Sequence, residues 1–300
     1  MQHLTDHAPL LGHDELERLQ GYILERRDRR RAVSSLYNGP ALSHHRGHGM
    51  DLHDVRPYQP GDDIRHMDWR ATARSNKPTT KVFLEERQHS LLLVVDRRPT
   101  MRFGTKGELK AASAARAASI MAFTALAARE RVSGLILENT MIHYPSARTL
   151  EGVLPLVQAA AAPLRISNPA PQIPFHAIYE QLFRHAERGT TVYLISDFHD
   201  VDEQHATALS WLAERFETLA IRIVDPAEIS MQGAGRMRIT SPISGKTVVI
   251  DTDDSDIRHR YDEKMTQRTA QLQRLFAGAG IQFITIHNNK DIFQQLNPIS

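Results

Sequence analysis

Three apolar runs in this 300-residue chain end in aspartate: LLLVVD at Asp96, VYLISD at Asp197 and IRIVD at Asp225. In an open α/β sheet, ligands bind beyond the carboxyl ends of the strands, where the strand order reverses. If the strands carrying Asp96 and Asp197 are neighbours, their carboxylates face one crevice, which would attract a divalent cation or a cationic side chain. An Asp after a strand equally caps the next helix or opens a turn. Arg98 follows Asp96 by two positions and stays charged at any physiological pH. Its side chain either bridges Asp96 and Asp197 as a built-in cation or points to solvent and leaves the crevice open.

Other candidates carry less. Gly61-Asp62-Asp63 follows Pro60 and reads as a tight turn. His44, His45, His48 and His53 could ligate a transition metal, or lie on a solvated loop. Five Arg fall between Arg26 and Arg31, with Glu25 and Asp28 interleaved, which reads as a solvated helix end. Trp69 reads as a packed anchor among the opposite charges of residues 54–74. Asp62, Arg65, Asp68 and Arg74 are expected to form a charged network there. The chain contains no phosphate-binding Gly-x-x-x-x-Gly-Lys-Ser/Thr, no Gly-x-Ser-x-Gly elbow and no His-Glu-x-x-His.

The elements that must position these groups follow from periodicity. Leu16, Leu19, Ile23 and Leu24 mark an amphipathic helix over 12–31. Residues 51–80 hold Pro57, Pro60, Gly61 and Pro78 as breakers. From there the pattern alternates. KVFLEE (81–86) reads as an edge strand, 90–96 as a strand buried on both faces, 190–197 as another buried strand, and 217–225 and 280–287 as further strands. Helices are expected over 108–129, 149–161, 174–187, 203–215 and 255–276. Residues 132–138 with 141–145, and RMRIT with KTVVID, read as hairpins. The sum is an α/β, doubly wound, mostly parallel sheet over 81–300, with an N-terminal appendage over 1–80.

Composition bounds the function. Hydrophobic residues make up 41% and charged residues 24%, the net charge is +2, and no Cys is present. Disulfides, Cys-zinc sites and thiol catalysis are excluded. Near-neutral charge argues against a nucleic-acid partner. The sequence shows neither an export signal nor a membrane span, which leads to an expectation of cytoplasmic location.

Two stretches carry a family resemblance. SLLLVVDRRPTMRFGTKGELKAAS resembles the first strand, loop and helix of a von Willebrand factor A-like, Rossmann-like domain, whose metal loop reads Asp-x-Ser-x-Ser. Asp96 matches, Thr100 replaces the second Ser, Asp197 matches the distant Asp, and Arg98 replaces the first Ser. The block DVRPYQPGDDIRHMDWRATARSNKPTTKVFLEER (54–87) resembles the signature of the bacterial domain-of-unknown-function family 58 through Arg56, Tyr58, Gly61, Asp62, Arg65, Asp68, Trp69 and Arg74. Pro60, Asp63, Ala73 and Glu86 match as well.

The resemblance implies a non-enzymatic, protein-binding adaptor working with a MoxR-type AAA+ ATPase on client proteins. Its partner crevice would lie at Asp96, Arg98, Thr100 and Asp197. The same Asp96, Thr100 and Asp197 would be the ligands of a degenerate metal site with no cofactor or only weak Mg²⁺, because Arg98 repels the ion. The rival reading is a metal-dependent hydrolase built on the strand-end carboxylates.

Overall fold

A computed structural model describes residues 8–37, 51–59, 64, 67–75, 77–84, 89–164, 173–187, 189–241 and 244–296. The chain divides into two units, Met1–Arg29 with His89–Ser300, and Arg30–Gln88.

The larger unit is organised by strand β3 (Ser90–Asp96), whose six residues after Ser90 are all buried. An apolar run with no polar alternation can be accommodated only where both faces of the sheet are covered. The sheet contains β4 (Arg131–Leu137), β5 (Met141–Ala147), β6 (Thr190–Ser196), β7 (Glu217–Val224) and β10 (Gln282–His287), in the order β10-β7-β6-β3-β4-β5. All neighbours pair parallel except β4 and β5, the hairpin expected around Asn139-Thr140. From β3 the chain moves outward to β4 and then returns to β6 on the other side. The strand order therefore reverses at the β3–β6 junction.

The two-residue period of β3 divides the core. Leu91, Leu93 and Val95 face helices α3 (Lys110–Ala127) and α4 (Leu150–Ala161). Leu16, Leu19 and Ile23 of α1 (His13–Tyr37) and Ile292 and Leu296 of α8 (Ile292–Leu296) join that layer. Leu92 and Val94 face the opposite layer, formed by α5 (Phe175–His185), α6 (Ala206–Arg215) and α7 (Ser255–Gly278). Ala111, Ala114, Ala115, Ala118 and Ala122 let α3 settle closely on the sheet. Gly134 does the same for α4, because a Cβ there would fall 2.3 Å from Leu156 Cδ1.

A second, two-stranded sheet belongs to this unit. β8 (Arg236–Thr240) and β9 (Thr247–Asp251) pair antiparallel, as their sequences predict. Among the described residues, no helix is long and apolar enough to cross a membrane.

In the smaller unit, β1 (Asp51–Pro57) pairs antiparallel with β2 (Thr79–Leu84) across the short helix α2 (Trp69–Ser75). Residues 79–84 thus complete a hairpin with β1 and are not an edge of the large sheet. The boundaries also differ from an appendage over 1–80: Leu16, Leu19 and Ile23 bury their side chains in the larger unit's core, while the β2 segment leaves it. An apolar helical stripe announces burial but not against which partner.

Candidate functional site

The parallel pairing of β3 with β6 sets Val95 opposite Ile195 and carries Asp96 and Asp197 to the same edge of the sheet. The Ser196 hydroxyl donates to Asp96 Oδ2 at 2.6 Å. After Asp197 the backbone turns through Phe198, at φ 53°, a left-handed conformation that side chains other than Gly adopt at a cost of about 1–3 kcal/mol. Burial of the Phe198 ring against Phe175 and Phe276 offsets that strain.

Each strand-end carboxylate has its own cation. Arg98 Nε donates to Asp96 Oδ1 at 3.0 Å, Arg98 Nη2 reaches Oδ2 at 2.7 Å, and the Arg98 backbone N–H donates to Oδ1 at 2.9 Å. The far side of the guanidinium meets Asp200 at 2.6 and 3.0 Å and the Ile173 carbonyl at 2.9 Å. Burial disfavours the Arg98 charge, but Asp96 and Asp200 outweigh it and raise its pKa.

Lys110 Nζ lies 2.8 Å from Asp197 Oδ2 and 2.6 Å from Glu228 Oε1. It is the first residue of α3, where the helix dipole opposes a cation. Burial opposes its charge too, yet Asp197 and Glu228 hold the ammonium pKa above the usual lysine value. Asp197 moves the other way. Burial pushes its carboxyl up, but Lys110, the His199 N–H and the Thr100 hydroxyl hold it below the ordinary carboxylate range.

The flanking residues brace this edge. Arg97 is almost fully buried and donates Nη2 to the carbonyls of Ala162 and Pro163 at 2.8 and 2.9 Å. It also bonds Ala159 and forms an ion pair with Glu138 at 3.3 Å. A cation there satisfies the carbonyls left open at the end of α4. Asp225 accepts from the Thr105 N–H, Asn288 Nδ2 and the Ala227 N–H at 2.8, 2.8 and 2.9 Å, and from the Thr105 hydroxyl. Burial raises the Asp225 pKa, and these donors lower it further than burial raises it.

The donor set does not fit a divalent cation. Both oxygens of Asp96 accept from the Arg98 guanidinium, and Asp197 is shared among Lys110, His199 and Thr100. Mg²⁺ needs near-octahedral oxygen lone pairs at about 2.0–2.1 Å. Here those lone pairs are taken by N–H and O–H donors, and two fixed positive charges stand where the ion would. Among the described residues, no group of three or more His, Asp or Glu is arranged to hold a metal.

Sequence reasoning brought Asp96, Arg98, Thr100 and Asp197 together, and the structure does so as well. Arg98, however, bridges Asp96 to Asp200, and Asp197 is served by Lys110. Residue spacing missed Asp200, Glu228, Ser196 and Lys110. Lys110 did leave a signal: a lone lysine opens an Ala-rich helix at its electrostatically unfavourable end.

The signature block is only partly visible. Gly61, Asp62, Asp63, Arg65 and Glu86 lie outside the described residues, as do His44, His45 and His48, and of Arg56 and His53 only the backbone, on β1, is described. Tyr58 donates its N–H to the Pro78 carbonyl at 2.8 Å. Asp68 caps α2, accepting from the Arg70 and Ala71 N–H groups at 3.0 and 3.1 Å. Arg74 is exposed in the last turn of that helix. Trp69 is 66% exposed in place of the expected packed anchor. As first residue of a seven-residue helix whose cap precedes it, it projects from the hairpin.

The fold and its edge define an α/β protein with a mostly parallel sheet whose strand-end carboxylates are neutralised from within. Residues 54–271 match the family described as "Protein of unknown function DUF58", and the chain belongs to that family. It is similar to the uncharacterized proteins Mb1516 of Mycobacterium bovis and Rv1480 of Mycobacterium tuberculosis. Each is 26% identical over 257 residues, covering 82% of this chain and 77% of the relative. Among solved structures it is similar to the conserved hypothetical protein BatB from Bacteroides thetaiotaomicron, with TM-score 0.44 and 12% identity over 70% of this chain and 97% of that one. An aerotolerance-related membrane protein from Bacteroides fragilis gives TM-score 0.42 at 12% identity, over 70% and 99%.

Proposed function

We propose that this chain is a non-enzymatic adaptor with a von Willebrand factor A-like domain, docking a protein partner at the carboxyl edge of β3 and β6. Its working partner is an AAA+ ATPase of the MoxR type, and its place is the cytoplasm. The observation that carries the reading is the double neutralisation of Asp96 and Asp197 by Arg98 and Lys110. An edge built this way is rigid and polar, and it holds its charges without an ion. Catalysis needs a nucleophile with a base, or a metal with open positions, and the carboxylates that a hydrolase would use are committed to cations.

A rim residue offers the partner an anchor. Phe103 is 41% exposed beside this edge, with Lys110 Nζ 6.0 Å from its ring centroid. Aromatic anchors carry a disproportionate share of binding energy at protein interfaces. The test is association of the purified chain with a MoxR-type ATPase from the same organism, read as co-elution and as a change in ATPase rate. Phe103→Ala should abolish both while the melting temperature stays unchanged. Metal-dependent turnover of phosphoesters or peptides by the isolated chain, lost on Asp96→Asn, would instead favour the hydrolase.

A further inference from the structure

The β8–β9 ribbon presents open edges and an uncovered apolar face. Met237, Ile239 and Val248 are 44%, 41% and 57% exposed. The register places Met237 opposite Ile250 and Ile239 opposite Val248, so these four side chains share one face. Arg236, Arg238 and Thr240 point to the other. A lone two-stranded ribbon is marginal in water, and natural edges are normally blunted or covered.

Its hydrogen bonding shows which backbone groups face away from β9. The Thr252 N–H donates to the Gly235 carbonyl and the Ser241 N–H to the Lys246 carbonyl, each at 2.9 Å. Antiparallel ladders alternate, so Gly235, Met237, Ile239 and Ser241 bond toward β9. The N–H and C=O groups of Arg236, Arg238 and Thr240 therefore face outward, along a strand exposed at every residue.

We propose that β8 is a docking edge for an extended segment of a partner protein in which acidic and apolar residues alternate. An antiparallel segment added to this edge bonds through Arg236, Arg238 and Thr240. Acidic residues directly opposite Arg236 and Arg238 then form cross-strand pairs, and the intervening apolar residues extend the Met237–Ile239 face. Arg236 has only a 3.7 Å contact with Asp251, with the two side chains 81% and 46% exposed, which leaves its charge largely available. Among the described residues, no carboxylate pairs with Arg238. Self-pairing of β8 in its fully overlapped register sets Arg238 against its own copy, so an acidic partner suits the edge better than a second chain. The inference stands apart from the Asp96–Asp197 edge and needs no ATPase.

The test uses the purified full chain and fluorescein-labelled synthetic peptides, read by fluorescence anisotropy. A peptide alternating Glu and Val should bind saturably, and one alternating Lys and Val should not. Arg236→Glu/Arg238→Glu, exposed substitutions, should weaken the Glu peptide by about tenfold or more and let the Lys peptide bind. Methylating the amide nitrogens of the Glu residues should abolish binding, and methylating those of the Val residues should leave it. The proposal fails if the Glu peptide does not bind at about 1 mM, if charge reversal leaves its affinity unchanged, or if both methylated peptides bind alike. A concentration-dependent dimer lost on Arg238→Pro, which removes an outward N–H of β8, would assign that edge to a second copy and overturn it as well.

Discussion

The guanidinium of Arg98 lies against both carboxylate oxygens of Asp96, two positions earlier in the chain, and reaches Asp200 from its other side. A contact this local ties the loop after β3 to the end of the strand. It also makes the edge of the sheet electrostatically self-sufficient. Removing the cation strands a fully buried carboxylate, and a broken buried pair costs about 3–5 kcal/mol. Arg98→Ser should therefore lower stability by an amount in that range. Thermal melts with and without millimolar Mg²⁺ check the electrostatic account. Mg²⁺ should leave the wild type unmoved and raise the midpoint of the variant, because Asp96 then regains free lone pairs for a hard cation.

Lys110 makes the same argument from the other side of the edge. Lys110→Met strands Asp197, which donors and an ammonium now hold ionised, and leaves Glu228 without its ammonium partner. A loss of about 3–5 kcal/mol is expected in urea titrations. In the double variant Lys110→Met/Asp197→Asn the buried charge is gone. It should be more stable than Lys110→Met alone, and the non-additivity measures the coupling.

The strands were legible because their chemistry is local. SLLLVVD, VYLIS and, but for Arg222, LAIRIV run apolar through consecutive positions, which only a doubly covered sheet can bury. Asp96 and Asp197 were legible as strand ends for the same reason. Their true partners were not. Asp200 and Glu228 sit 104 and 132 positions after Asp96 in the chain, and no periodicity links them to Arg98 or Lys110. Trp69 misled because a large aromatic is usually buried, whereas here Asp68 starts a short helix that turns the ring outward. The pairing of 79–84 with 51–57 was missed because an alternating strand does not name its neighbour.

That correction changes what the signature block predicts. Asp68→Ala removes a helix cap, which alone costs about 0.5–2 kcal/mol. Trp69→Ala removes a mostly exposed ring and should stay within about 0.5 kcal/mol of wild type. Chemical denaturation monitored by far-ultraviolet circular dichroism separates the two. A loss above about 3 kcal/mol for Trp69→Ala would require the ring to be buried against something.

Packing at the close approach of α4 to β4 supplies a prediction free of charge. Gly134→Val must displace Leu156, which is buried beside Val153 and Val157. Overpacking of this kind costs about 1–3 kcal/mol. Gly134→Val/Leu156→Ala should recover part of that loss in thermal melts, because the smaller side chain vacates the space the new one needs. Equal midpoints for the single and double variants would show that the backbone, not Leu156, absorbs the strain.

The pH dependence of stability follows from the signs of the shifts. The pKa values of Asp197 and Asp225 are depressed in the folded state, so unfolding takes up protons as these groups return to about 3.9. Their contribution is complete above that value and is lost as pH falls through the folded pKa values. The pKa of Lys110 is raised, so its contribution is complete below about 10.4 and is lost as pH climbs through its folded pKa. Stability should therefore be flat with respect to these groups from about pH 5 to 9 and fall on both sides. Urea midpoints across that range check the shape. Asp225→Asn, which keeps a side-chain oxygen for the Thr105 and Ala227 N–H groups, should flatten the acid limb and leave the alkaline limb in place. Lys110→Met/Asp197→Asn should do the converse at high pH and also remove the Asp197 share of the acid limb. An acid limb unchanged in both variants would assign acid unfolding to other carboxylates.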